Sequence, residues 1–159
     1  MKHQPKRKPI RLPGHNYNAG YYFITICTKG KQELFGKIVG TTAPGRPHVE
    51  LTSIGICVEE TIRIANRENV KIDKYVIMPN HIHMIVNISG ETDDRGRSSL
   101  QQTVRNIKSY VTKTAGFSLW QARFHDRIIR NEDEYNRIWT YIDENPSKWI
   151  EDKYYIIQP

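Results

Sequence analysis

The chain has 159 residues, 38% of them hydrophobic, which is enough for one domain with its own core and no need of disulfides. No apolar run approaches the roughly 20 residues of a membrane span, and no apolar stretch follows the basic start, which argues against a secretory signal and for a cytoplasmic protein. A formal net charge of +7 makes a polyanion, nucleic acid first, the expected partner.

Residues 1–16 carry Lys6, Arg7, Lys8 and Arg11 among prolines, and read as a basic arm before a single domain over 17–159. Tyr21 to Thr28, rich in β-branched and aromatic residues, reads as a strand. Glu33 to Val39 is a weaker second strand, and Gly40 to Arg46 a loop. Thr52 or Ser53 can cap a helix with Ile54, Val58, Ile62 and Ile64 at roughly helical spacing, ending near Asn66-Arg67. Ile72 to Met78 and His81 to Ile88 read as a hairpin about Pro79-Asn80. A polar loop follows from Gly90 to Gly96. Ser98 or Ser99 caps a helix with Leu100, Val104, Ile107 and Val111 on one face, stopped by Gly116. Arg123 to Arg130 forms a last strand. Asn131 or Asp133 caps a helix with Tyr135, Ile138, Trp139 and Ile142, ended by Pro146. The aromatic tail packs on the domain. The order β-β-α-β-β-α-β-α predicts an α+β fold, an antiparallel sheet with helices packed on one face.

The chemistry concentrates in His81-Ile82-His83-Met84. Strand side chains alternate, so His81 and His83 share one face while Ile82 and Met84 enter a core. Such a pair is half of a metal site, and equally a hydrogen-bonded structural pair. The second half is sought in Tyr141-Ile142-Asp143-Glu144-Asn145-Pro146. Positions i and i+4 share a helix face, so Tyr141 and Asn145 can point at one spot. Asn145 offers an amide oxygen for a hard divalent cation, with Mn²⁺ taking imidazole more readily than Mg²⁺. A phenol beside a metal-held phosphate is a nucleophile placed for in-line attack. Tyr110 is the rival tyrosine, but has only Thr114 four residues on, and reads as core or groove-lining. Cys27 and Cys57 lack metal or redox spacing and read as idle thiols.

The run Tyr75-Val76-Ile77-Met78-Pro79-Asn80-His81-Ile82-His83-Met84-Ile85-Val86 resembles the His-hydrophobic-His segment of the HUH single-strand-DNA transposases. These are the single-tyrosine enzymes of small bacterial insertion sequences and their REP-associated relatives. The likeness continues in Ile107-Lys108-Ser109-Tyr110, in the stretch from Leu119 to Arg130, and in Tyr141 to Pro146, in the expected order from about Arg11 onward. Trp120-Gln121 and Tyr141…Asn145-Pro146 look more like the REP-associated branch. The tail departs from many relatives, with Ser147-Lys148-Trp149-Ile150 where those have small or apolar residues.

The resemblance implies a ferredoxin-like, RRM-like fold with His81, His83 and Asn145 holding Mg²⁺ or Mn²⁺ and Tyr141 as the nucleophile. It implies binding of single-stranded DNA and DNA hairpins, cut and rejoined through a 5′-phosphotyrosine link. Lys108, Arg123 and Arg130 are its candidate DNA contacts. Trp120, Phe124 and Tyr17 are stacking candidates that serve equally as core. Lys6, Arg7, Lys8 and Arg11 are candidates to clamp a hairpin or its flank, and read equally as an untethered solvated tail. The resemblance also implies a homodimer, often with the tyrosine helix against a partner's histidine pair, and nucleoid association when bound to DNA. Two other readings stay open. A basic α+β domain can bind nucleic acid without chemistry. A metal hydrolase using water is also conceivable, although the chain has no HExxH and no carboxylate cluster near the histidine pair.

Overall fold

The computed structural model describes residues 20–40, 45–89 and 95–156, side chains 95–98 excepted. The arm with Lys6, Arg7, Lys8 and Arg11, and Tyr17, lie outside the described residues. The elements are β1 Tyr21–Cys27, β2 Gly36–Val39, β3 His48–Leu51, α1 Ser53–Ala65, β4 Val70–Met78, β5 His81–Ile88, α2 Arg95–Ala115, β6 His125–Ile128 and α3 Glu132–Glu144. A 3-10 turn, Asn145–Glu151, continues from α3.

Strands β4-β5-β1-β6 form one antiparallel sheet in that spatial order. The two strands that bear the chemistry are its centre. Every residue of β5 is buried, which requires cover on both faces. Ile24 and Ile26 of β1 join Ile82, Met84 and Val86 of β5 in one core beneath α1 and α2, with Val58, Ile62, Leu100, Val104 and Ile107. Tyr21 and Ile85 point the other way and meet Tyr135, Ile138 and Ile142 of α3. The helices therefore do not share one face, as the sequence reading has it. The correction follows from the strands: their alternate positions are apolar on both sides, and α3 covers the second side.

The hairpin of β2 and β3 is a second, two-stranded sheet, and β3 is an element the sequence reading lacks. Its four residues alternate exposed and half-buried, too short and polar to announce a strand. The hairpin leads into α1 by a close approach. Thr52 caps α1 by accepting from the Gly55 amide at 3.1 Å, and its hydroxyl donates to the Leu34 carbonyl at 2.6 Å. A Cβ on Gly55 would collide with the Phe35 carbonyl, so only glycine lets the helix sit there.

Helix α2 starts earlier than its apolar stripe, at Arg95 instead of Ser98 or Ser99. Strand β6 is shorter than read and pairs with β1 over Tyr22 to Thr25 only. Among the described residues no helix is long and apolar enough to cross a membrane.

Candidate active site

The α3 face of the sheet carries the histidine pair. Registers Thr25↔His83 and Cys27↔His81 set the two imidazoles beside β1, both essentially buried. Their ring centroids lie 4.5 Å apart. Thr25 Oγ1 lies 2.8 Å from His83 Nδ1, and Phe23 stacks on the same ring at 5.2 Å.

Asn80 determines how His81 faces the site. Its amide nitrogen donates to the carbonyls of Tyr154 at 2.8 Å and Lys31 at 3.2 Å. That orientation turns its oxygen to His81 Nδ1, at 2.8 Å. The oxygen only accepts, so His81 carries its proton on Nδ1 and leaves Nε2 bare. His81 Nε2 is buried with no hydrogen-bond partner.

Asn145, at the C-terminal cap of α3, is 2% exposed. Its nitrogen donates to the Tyr141 carbonyl at 3.3 Å, and its oxygen is likewise buried without a hydrogen-bond partner. The amide is close enough to act on the ionisation of both His81 and Tyr141. Asp152 comes from the tail. Its Oδ2 lies 3.9 Å from His81 Nε2, and its other oxygen accepts from the Tyr154 amide at 2.8 Å. Ligand atoms of His81, His83 and Asp152 all fall within 4.8 Å of one another.

A buried lone pair without a partner costs about 1–3 kcal/mol unless a ligand takes it up, and two such atoms stand here on residues in contact with the same site. A divalent cation fits that description. Burial pushes His81 down to about 3, and burial with the neighbouring His81 pushes His83 well below its ordinary value. Both rings are then neutral at pH 7, the form that ligates. The donors, two imidazoles with amide and carboxylate oxygens, suit Mn²⁺ or Mg²⁺.

Tyr141 stands at the rim, 41% exposed, its hydroxyl 3.5 Å from His83 Nε2. Burial raises its pKa, opposed by the Asn145 amide and reinforced by Asp152. The phenol alone is therefore protonated at neutral pH. Tyr110, the rival read as core or groove-lining, is 48% exposed on α2 and so is not core.

The tail packs as expected. Tyr154 lies over His81 at 4.3 Å and Trp149 at 6.0 Å. Burial and contact with Cys27 keep the Tyr154 phenol protonated, its pKa far above the ordinary value.

The remaining predicted residues lie elsewhere. Trp120 is 7% exposed in the α1/α2 core, its ring 5.3 Å from Phe35 and its N–H donated to the Lys108 carbonyl. The Lys108 ammonium is in turn tied to the Gln121 carbonyl at 2.8 Å. Both are engaged in joining α2 to the loop before β6. Arg123 and Arg130 are exposed at the two ends of β6. Missed by sequence reasoning were Asp152, Thr25, Asn80 and Tyr154. Only Asn80, adjacent to the histidine pair, carried a local signal.

No family model matches the chain. It is 35% identical to an uncharacterized protein of Haemophilus influenzae, across 94% of this chain and 93% of that one. It is 30% identical to the REP-associated tyrosine transposase of Escherichia coli over 92 residues, 56% of this chain and 53% of that relative. That match thus spans about half the relative's length. In fold, it is similar to a solved REP-associated tyrosine transposase bound to a REP hairpin, with a TM-score of 0.62 and 24% identity over 88% of this chain and 74% of that one. The chain thus belongs to one family with the Haemophilus influenzae protein, and it shares its fold with the solved REP-associated tyrosine transposase.

Proposed function

We propose that this protein is a metal-dependent transposase that binds DNA hairpins and cuts and rejoins single-stranded DNA through a 5′-phosphotyrosine intermediate. One observation carries the reading: the Tyr141 hydroxyl lies 3.5 Å from His83 Nε2, and the neighbouring His81 Nε2 and Asn145 Oδ1 are buried without hydrogen-bond partners. His81, His83 and Asn145 would hold the cation, with Asp152 as a further oxygen ligand. When bound, Mg²⁺ or Mn²⁺ polarises a phosphate and lowers the pKa of a nearby hydroxyl.

Tyr141 supplies the nucleophile. Its oxygen forms a bond to phosphorus as the bond to the 3′ oxygen breaks, and that oxygen leaves with the electron pair and takes a proton from solvent to become a 3′-OH. The phenol proton departs to solvent, which reaches this half-exposed side chain. A 3′-OH of another strand end attacks the phosphotyrosine, reforms a diester and returns the phenol. Each step exchanges one phosphate ester for another, so no nucleotide triphosphate is consumed. Thr25 and Asn80 orient the two imidazoles throughout. Arg123 and Arg130 lie exposed where phosphates of bound DNA could reach them.

Purified protein with Mn²⁺ or Mg²⁺ and a single-stranded oligonucleotide carrying a hairpin should give a covalent adduct on a denaturing gel. Tyr141→Phe should abolish the adduct while hairpin binding persists. An adduct that survives Tyr141→Phe removes Tyr141 from this role. Hairpin binding with no adduct under any divalent cation supports a binding module without chemistry.

A further inference from the structure

Tyr141 separates two clefts of opposite character. One, of about 270 Å³, is lined by Glu144, Glu151 and Asp152 with Lys148 and Lys153. The other, of about 410 Å³, opens between α3 and β6 and carries Arg127, Arg137 and Lys153 against a single carboxylate, Glu134. His83 and Tyr141 close its inner end. In the cation-free protein the first cleft, which also holds the ligand candidate Asn145, has carboxylates in excess and the second has cations in excess, so a polyanion is drawn to Tyr141 along the second.

The local structure explains why the cations gather there. Arg127 is the register partner of Phe23, so both project toward α3. Arg137 precedes Tyr141 by one turn of α3 and shares its face. Glu134 pairs with Arg127 at 3.1 Å and accepts the Arg130 amide with its other oxygen. Its carboxylate is thus engaged, and Arg137 has no ion-pair or hydrogen-bond partner among the described residues. Lys153 borders both clefts and places its charge near His81 and His83. A guanidinium with a planar fork and no protein carboxylate, one turn from the nucleophile, matches a phosphodiester.

We propose that the α3–β6 cleft seats the single strand flanking the scissile phosphate, with Arg137 and Lys153 on its phosphates, Arg127 at its mouth and the Phe23 ring on its floor. The assignment rests on the reading of Tyr141 as nucleophile, and names the path by which DNA reaches it.

The test uses the full chain, a short fluorescent oligothymidine and a blunt hairpin without a single-stranded flank. Binding is measured without divalent cation, across salt concentrations. Arg137→Ala should weaken oligothymidine binding several-fold and reduce the salt slope by about 0.7–1. It should leave the blunt hairpin's affinity unchanged. Arg63→Ala removes an equal charge from α1, on the far side of the sheet, and should change neither. Unchanged oligothymidine affinity and slope in Arg137→Ala, or an equal loss for the blunt hairpin, overturns the proposal. The nucleophile reading fails separately: wild-type protein would then bind both DNAs yet form no adduct with Mn²⁺, while the Arg137 effect would stand.

Discussion

Asn80 fixes the tautomer of His81 by giving both amide hydrogens to backbone carbonyls and its oxygen to the ring. Asn80→Ala should therefore weaken divalent-cation binding about 10–100-fold, as loss of an orienting partner does. Calorimetric titration with Mn²⁺ checks this, and unchanged affinity would refute the role. The same two histidines make the cation-free protein acid-sensitive. His81 takes up a proton at about 3 and His83 well below its ordinary value, both chiefly through burial, whereas in the unfolded chain they titrate near 6.5. Below pH 6.5 the unfolded state binds more protons, so stability is full above 6.5 and falls as pH drops toward 3. The slope is at most about 1.4 kcal/mol per pH unit for each histidine. Urea unfolding across this range should show the slope, and replacing both histidines with glutamine should flatten it. The histidine pair and the Tyr141–Asn145 pair were legible because each follows from a local period, two in a strand and i, i+4 in a helix. Asp152 was not, since its place beside His81 depends on a tail folding back across the sheet.

Helix α3 must be anchored for Tyr141 to stay in place, and Asp143 is the anchor at its C-terminal end. One carboxylate oxygen meets Lys74 of β4 at 2.7 Å and the other meets Arg46 at 2.8 Å. These ion pairs hold the Asp143 carboxyl below its ordinary value, Lys74 foremost. They are partly exposed, so their net stabilisation is small, about 1 kcal/mol or less. Asp143→Ala should lower the rate of adduct formation on the order of ten- to a hundredfold by loosening the tyrosine helix, with little change in thermal midpoint. A large fall in midpoint with an intact rate per folded molecule would contradict this. Asp143 sits in the very segment that was read for its tyrosine, but its partners are 69 and 97 residues away, beyond any local pattern. Most helices and central strands were legible from apolar periodicity. Strand β3 was not, because four residues of alternating exposure make a strand only once β2 pairs with them.

For the whole molecule, the decisive fact is that the central strands are buried on both faces. Helices α1 and α2 cover one, and α3 with the tail covers the other. The α+β class and the antiparallel sheet were legible, whereas the side taken by α3 was not. It depends on which apolar stripe meets Tyr21 and Ile85, and all three helices have such a stripe. That placement brings Tyr141 to the histidine pair of its own chain. Chemistry within one chain should then need no partner's tyrosine, so mixing Tyr141→Phe protein with His83→Ala protein should not restore adduct formation. Restoration would show an exchanged helix. On the proposed mechanism, Tyr141 attacks a phosphate held at the His81/His83 pair. The most direct test digests the adduct formed with Mn²⁺ and maps the nucleotide-bearing peptide by mass spectrometry. A 5′-phosphate on Tyr141 is expected, with no modification when His81 and His83 are both replaced by alanine. A phosphate on Tyr110 or Tyr154, or an undiminished adduct without the histidines, would contradict that mechanism.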